Sequence, residues 1–123
     1  MKRVLYVDDE PDIREIAELA LGLDPEFEVR TAASGAQGIA IAREWRPDIV
    51  LLDVMMPGMD GPETLSQLRG HPETLHTPVA FVTARAQRNE IQNFATLDAV
   101  GVIAKPFDPM VLSAQVRALW EAK

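Results

Sequence analysis

Short apolar runs alternate with helical periodicity along this chain. Val4-Leu5-Tyr6-Val7 is uninterrupted and reads as a buried strand. Pro11 then stands where a first helical residue would, and Ile13, Ile16, Ala17 and Ala20 follow at helical spacing, with Gly22 near the end. Phe27–Ala32 roughly alternates apolar and polar residues, which predicts a half-exposed strand. Ser34 with Gln37 three residues later opens a second helix through Ile39, Ala40 and Trp45, and Pro47 stops it.

Ile49-Val50-Leu51-Leu52 is apolar on both faces, as central strands of parallel sheets are. A turn-rich stretch follows from Asp53 to Gly61. Asp60 and Glu63 predict the cap and third residue of a helix running to about Gly70. The stretch from His71-Pro72 to Thr77 reads as a loop, and Val79–Val82 as a fourth strand ending at Thr83-Ala84. Ile91, Phe94 and Ala95 mark a weaker helix from Arg88 to about Leu97, and Val100–Ala104 is a short fifth strand. Asp108 caps and Pro109 opens a last helix carrying Leu112, Val116 and Leu119.

Five strand–helix units in strict alternation predict an α/β protein built on a doubly wound, five-stranded parallel sheet, because parallel strands need crossover connections. The pattern leaves strand order open; the flavodoxin-like (βα)5 order 2-1-3-4-5 is the expected one. The 123 residues fit one domain, 1–123, with no linker, repeat or output domain expected. At 47% hydrophobic residues the chain can build a core. The absence of cysteine excludes disulfides and thiolate metal sites and suits a reducing, cytoplasmic setting. No signal peptide or membrane-length apolar run is present, so no membrane insertion is expected. A formal charge of −7 disfavours direct nucleic-acid binding.

The polar residues that interrupt this pattern fall at strand ends. Asp8 and Asp9 follow the first strand, Asp53 the third, Thr83 the fourth and Lys105 the fifth. Open α/β sheets bind ligands outside the carboxyl ends of their strands, where strand order reverses. With the order 2-1-3-4-5, the three aspartates share one crevice. Two unit charges ~4 Å apart cost about 4 kcal/mol at an effective dielectric near ~20. A protonated carboxyl or a cation must relieve that repulsion. Lys105 supplies one positive charge, and an all-oxygen site suits Mg2+ as the other. Asp53 is then a plausible nucleophile toward a phosphoryl group, with Thr83, Lys105 and the metal meeting its oxygens.

Each residue also has a plainer reading. Asp9 or Glu10 could cap the first helix, Asp53 could be a turn residue, Lys105 a solvated loop lysine, and Thr83 the end of a strand. Met55, Met56 and Met59 suit loop packing, and His71 and His76 a surface loop. Packing is the default for Trp45 and Trp120, although Trp120 could also belong to a partner surface. The joint pattern favours the phosphoacceptor reading.

Taken together, Val7-Asp8-Asp9-Glu10, Leu52–Gly61, Val82-Thr83-Ala84 and Lys105-Pro106-Phe107 resemble the receiver domain of bacterial two-component response regulators, in stand-alone, chemotaxis-regulator-like form. The resemblance implies that Asp53 accepts a phosphoryl group from the phosphohistidine of a sensor histidine kinase or phosphotransfer protein. It implies Mg2+ held by Asp9 and Asp53, with Asp8 acting mostly through water and the Met55 backbone carbonyl as a further ligand. Thr83 would be the switch hydroxyl, Lys105 the phosphate-pairing cation, and Lys105-Pro106 a cis peptide. The fourth helix, fifth strand and fifth helix would control a downstream protein target.

The chain departs from the family at Val102, where a tyrosine or phenylalanine often serves as a rotameric switch; backbone shifts of the fourth helix are the expected substitute. Arg85 and Met55 occupy positions that tune phosphate lifetime in the family. Two other functions compete. A receiver-like interaction module would work without phosphorylation. A phosphatase with an aspartyl-phosphate intermediate usually has its second acid two residues after the nucleophile, where this chain has Met55.

Overall fold

The computed structural model describes residues 2–84 and 98–121. In chain order the elements are β1 (Lys2–Val7), α1 (Pro11–Leu21), β2 (Phe27–Ala32), α2 (Gly35–Trp45), β3 (Ile49–Asp53), α3 (Gly61–Leu68), β4 (Val79–Thr83), β5 (Gly101–Ala104) and α4 (Leu112–Glu121). The five strands form one parallel sheet in the order β2-β1-β3-β4-β5. The expected helix over about 88–97 and Arg85 lie outside the described residues. No helix among the described residues is long and apolar enough to cross a membrane.

Strand side chains alternate between faces, so an unbroken apolar run serves two cores at once. Val4, Tyr6, Ile49, Leu51, Ala80 and Val82 pack on one face against Ala17, Ala20 and Leu21 of α1 and Leu112 and Val116 of α4. Leu5, Val7, Val50, Leu52, Val79 and Phe81 pack on the other against Ile39, Ala42 and Trp45 of α2 and Leu65 and Leu68 of α3. Edge strand β2 buries only its two ends, Phe27 and Ala32, in keeping with its mixed sequence.

Capping fixes where the helices enter the sheet edge. The Ser34 hydroxyl accepts from Gln37 N at 3.1 Å, and the Gln37 side chain reaches back to Ala33 N at 2.6 Å. Asp60 accepts from Glu63 N at 2.9 Å and starts α3. The last helix differs from expectation, beginning at Leu112 rather than at Asp108-Pro109. Asp108 instead closes a separate turn, accepting from Met110 N through its side chain (2.9 Å) and from Val111 N through its carbonyl (3.1 Å). Trp45 is buried and carries the guanidinium groups of Arg3 and Arg30 at 5.5 and 4.8 Å from its ring. Trp120 rests on Phe27 at 5.4 Å, so it serves packing.

One glycine sets the distance between β3 and α3. A Cβ on Gly61 would lie 2.6 Å from the Asp53 carbonyl oxygen and 2.8 Å from Val54 Cα, both backbone atoms. Gly61→Ala should therefore push the start of α3 off the end of β3. A loss of about 1–3 kcal/mol in urea unfolding is expected, and unchanged stability would show that the loop absorbs the methyl group.

Candidate functional site

Strand register builds the site. Val7 pairs with Leu52, which brings Asp8, one residue beyond β1, alongside Asp53 at the end of β3. Asp53 pairs with Val82 and Thr83 with Ala104, which sets Thr83 and Lys105 on the same rim. The strand order reverses between β1 and β3, with α1 on one face and α2 on the other. The side chains of Asp8, Asp9, Asp53 and Lys105 converge at that switch point.

Carboxylate oxygens of Asp8, Asp9 and Asp53 all lie within 4.8 Å of one another. Asp8 is fully buried, Asp53 is 3% exposed and Asp9 is partly exposed. The Lys105 ammonium stands 2.7 Å from Asp8 Oδ2 and 3.3 Å from Asp53 Oδ1. Asp8 has further partners: Tyr6 donates its hydroxyl to Oδ2 at 2.9 Å, and Glu10 N donates to Oδ1 at 3.0 Å. The Lys105-Pro106 peptide is cis, and Lys105 N donates to the Thr83 carbonyl at 2.8 Å.

The plainer readings of these residues do not account for the arrangement. Glu10 is the N-cap of α1 and makes no side-chain cap bond. The Asp9 carboxylate accepts no hydrogen bond from the described residues, so capping is not its role. Lys105 is largely enclosed and paired with two acids rather than solvated. Thr83 does end its strand, as the plainer reading has it, and is buried there. Met55 lies two residues beyond Asp53 and is 61% exposed. His71 and His76 stay on the loop after α3 and join no acidic cluster among the described residues.

Burial raises the Asp53 carboxyl from 3.8 to about 6, reinforced by the charge of Asp8 and opposed by Lys105. Burial pulls Lys105 down, but hydrogen bonding and charge from Asp8, with Asp53 adding to them, outweigh it and hold Lys105 above its ordinary value. Burial, then the charge and hydrogen bond of Asp8, push Tyr6 well above the ordinary phenol range, so its hydroxyl remains a donor.

With all three carboxylates ionised, one ammonium leaves the cluster net negative. The donor set is oxygen only, and the Asp9 carboxylate has no hydrogen-bond partner among the described residues. These residues fit a hard divalent cation such as magnesium and offer a thiophilic metal nothing.

Tyr6 is the site residue that the reading of the sequence missed, because it was counted into an apolar strand. A signal existed: residues two apart on a strand share a face, so Tyr6 points its hydroxyl along the side on which Asp8 lies.

Comparison with known proteins agrees with this geometry. The family described as response regulator receiver domain matches residues 4–117. The response regulator PleD of Caulobacter vibrioides is 40% identical over 122 residues, covering 98% of this chain and 26% of PleD. The transcriptional regulatory protein CseB of Streptomyces coelicolor is 39% identical over 116 residues, covering 94% of this chain and 48% of CseB. The chain thus spans about a quarter to a half of the length of the curated relatives it matches. The solved structure of chemotaxis protein CheY4 of Vibrio cholerae superposes with a TM-score of 0.87 at 33% identity, covering 97% of this chain and 98% of that one. With register, acidic cluster and sequence match in agreement over nearly its full length, the chain belongs to the response regulator receiver domains.

Proposed function

We propose that Asp53 is the phosphoacceptor of a phosphorylation-activated signalling receiver. The donor is the phosphohistidine of a histidine kinase or phosphotransfer protein, which sets the chain in the cytoplasm. One observation carries the reading: a buried carboxylate with an ammonium 3.3 Å away and two further acids close by. A carboxylate oxygen of Asp53 forms the new P–O bond as the donor's P–N bond breaks, and the electron pair leaves on the imidazole nitrogen.

Asp9 and Asp53, with the Met55 carbonyl and with Asp8 through water, would hold magnesium. When bound, that ion supplies charge neutralisation at the phosphoryl oxygens. Lys105 leaves Asp8 for a phosphoryl oxygen, and the Thr83 hydroxyl turns toward another. The ends of β4 and β5 move with them and alter the face formed by β5 and α4, where a protein target docks. Val102 is half-buried in β5 and offers no ring to swing, so this movement rests on backbone shifts. The chain's own chemistry is limited to gaining and losing its phosphoryl group.

Incubation with a small acyl phosphate and magnesium should add a single phosphoryl group, read by intact-mass spectrometry, and Asp53→Asn should add none. Label persisting in the Asn variant overturns the assignment. No label in the parent chain, with target binding intact, would favour an interaction module that works without phosphorylation.

A further inference from the structure

We propose that Tyr6 is a positioning residue that holds Asp8 in its cation-binding orientation. This deepens the proposed function and rests on Asp8 facing a divalent cation. Asp8 is fully buried, and among the described residues its two oxygens receive three donors: Tyr6 OH at 2.9 Å and Lys105 Nζ at 2.7 Å on Oδ2, and Glu10 N at 3.0 Å on Oδ1. Of these, the Lys105 ammonium is the one that has to leave when a phosphoryl group arrives. Oδ2 then keeps the Tyr6 hydroxyl as a donor. A buried carboxylate oxygen left without a donor is costly, so the phenol makes the departure of Lys105 affordable.

Tyr6 is suited to the task by its rigidity. It lies at the centre of the sheet, fully buried, with Val4 and Leu51 in the same core and its ring edge-on to Phe107 at 6.4 Å between centroids. Its hydroxyl is thus fixed by the packed sheet, whereas the lysine hangs on a four-carbon stem. Groups that hydrogen-bond to a metal-facing carboxylate set its orientation, and losing one costs about 10–100-fold in metal affinity or activity.

Tyr6→Phe removes the donor and keeps the ring. Manganese binding, followed by electron paramagnetic resonance of the free ion, should weaken about tenfold. The half-saturating magnesium concentration for labelling by a small acyl phosphate should rise by a similar factor, while the rate at saturating magnesium recovers. Val4→Ala, in the same core but without contact to Asp8, is the control. It should lower thermal stability and leave manganese affinity unchanged.

Unchanged affinity in Tyr6→Phe overturns the inference while the site stands. So does a loss of rate that saturating magnesium fails to restore, or an equal loss of affinity in Val4→Ala. A parent chain that takes up no manganese would overturn the reading of the site, and this inference with it.

Discussion

Asp53→Asn is expected to stabilise the metal-free protein at neutral pH even as it abolishes phosphorylation. The folded-state value of Asp53 is raised from 3.8 to about 6, by burial first and by Asp8 second. A raised value means that this carboxyl favours folding below about 3.8 and loses that contribution as pH climbs through about 6. At pH 7.5 the loss is complete. Asparagine is neutral there, can still donate to Asp8, and leaves Lys105 paired with Asp8. The gain should be on the order of 1–3 kcal/mol in chemical unfolding. The parent's stability should fall between pH 4 and pH 6 relative to the variant, whose profile is flatter over that window. Magnesium should close the gap by stabilising only the parent through mass action. An Asn variant less stable than the parent at pH 7.5 without metal would mean that the three acids do not strain the fold.

Removing Lys105 should have the opposite and larger effect. Lys105→Met leaves Asp8 and Asp53 buried without their counter-charge, and breaking a buried pair on one side costs about 3–5 kcal/mol. The folded-state value of Lys105 is raised, so its stabilisation is fully present below 10.5 and is lost only above that value. The deficit should therefore appear at pH 7. It should shrink in acid, where Asp53 takes a proton instead, and shrink again with magnesium. Labelling by a small acyl phosphate should slow about a hundredfold or more, because a preorganised cation at a developing charge is lost. Unchanged stability at pH 7 in metal-free buffer would show that the ammonium is not shared by the two acids.

Much of this site was legible in the sequence because strand ends are easy to read. The Asp8-Asp9 pair, Asp53, Thr83 and Lys105 each follow an apolar run directly, and the rule about carboxyl ends of strands does the rest. The start of the last helix was misread for a local reason. Asp108-Pro109 has the chemistry of a helix start, but the same side-chain acceptor also closes a short turn, and only the path back to α1 decides between them. Tyr6 was hidden because a phenol counts as apolar in a periodicity pattern, yet carries a donor that matters once a neighbouring carboxylate is buried.

The chain's pattern by itself determined the class of fold, the alternation of five strands with helices, and which polar residues stand at strand ends. These follow from local periodicity and steric propensity, which act over a few residues at a time. Tertiary structure alone decided that β1 sits between β2 and β3, that Asp8 rather than Asp9 is fully buried, and that one lysine serves two acids across the sheet. Those outcomes depend on contacts between segments up to 97 residues apart, where register and desolvation, not sequence spacing, set the distances and the charge states.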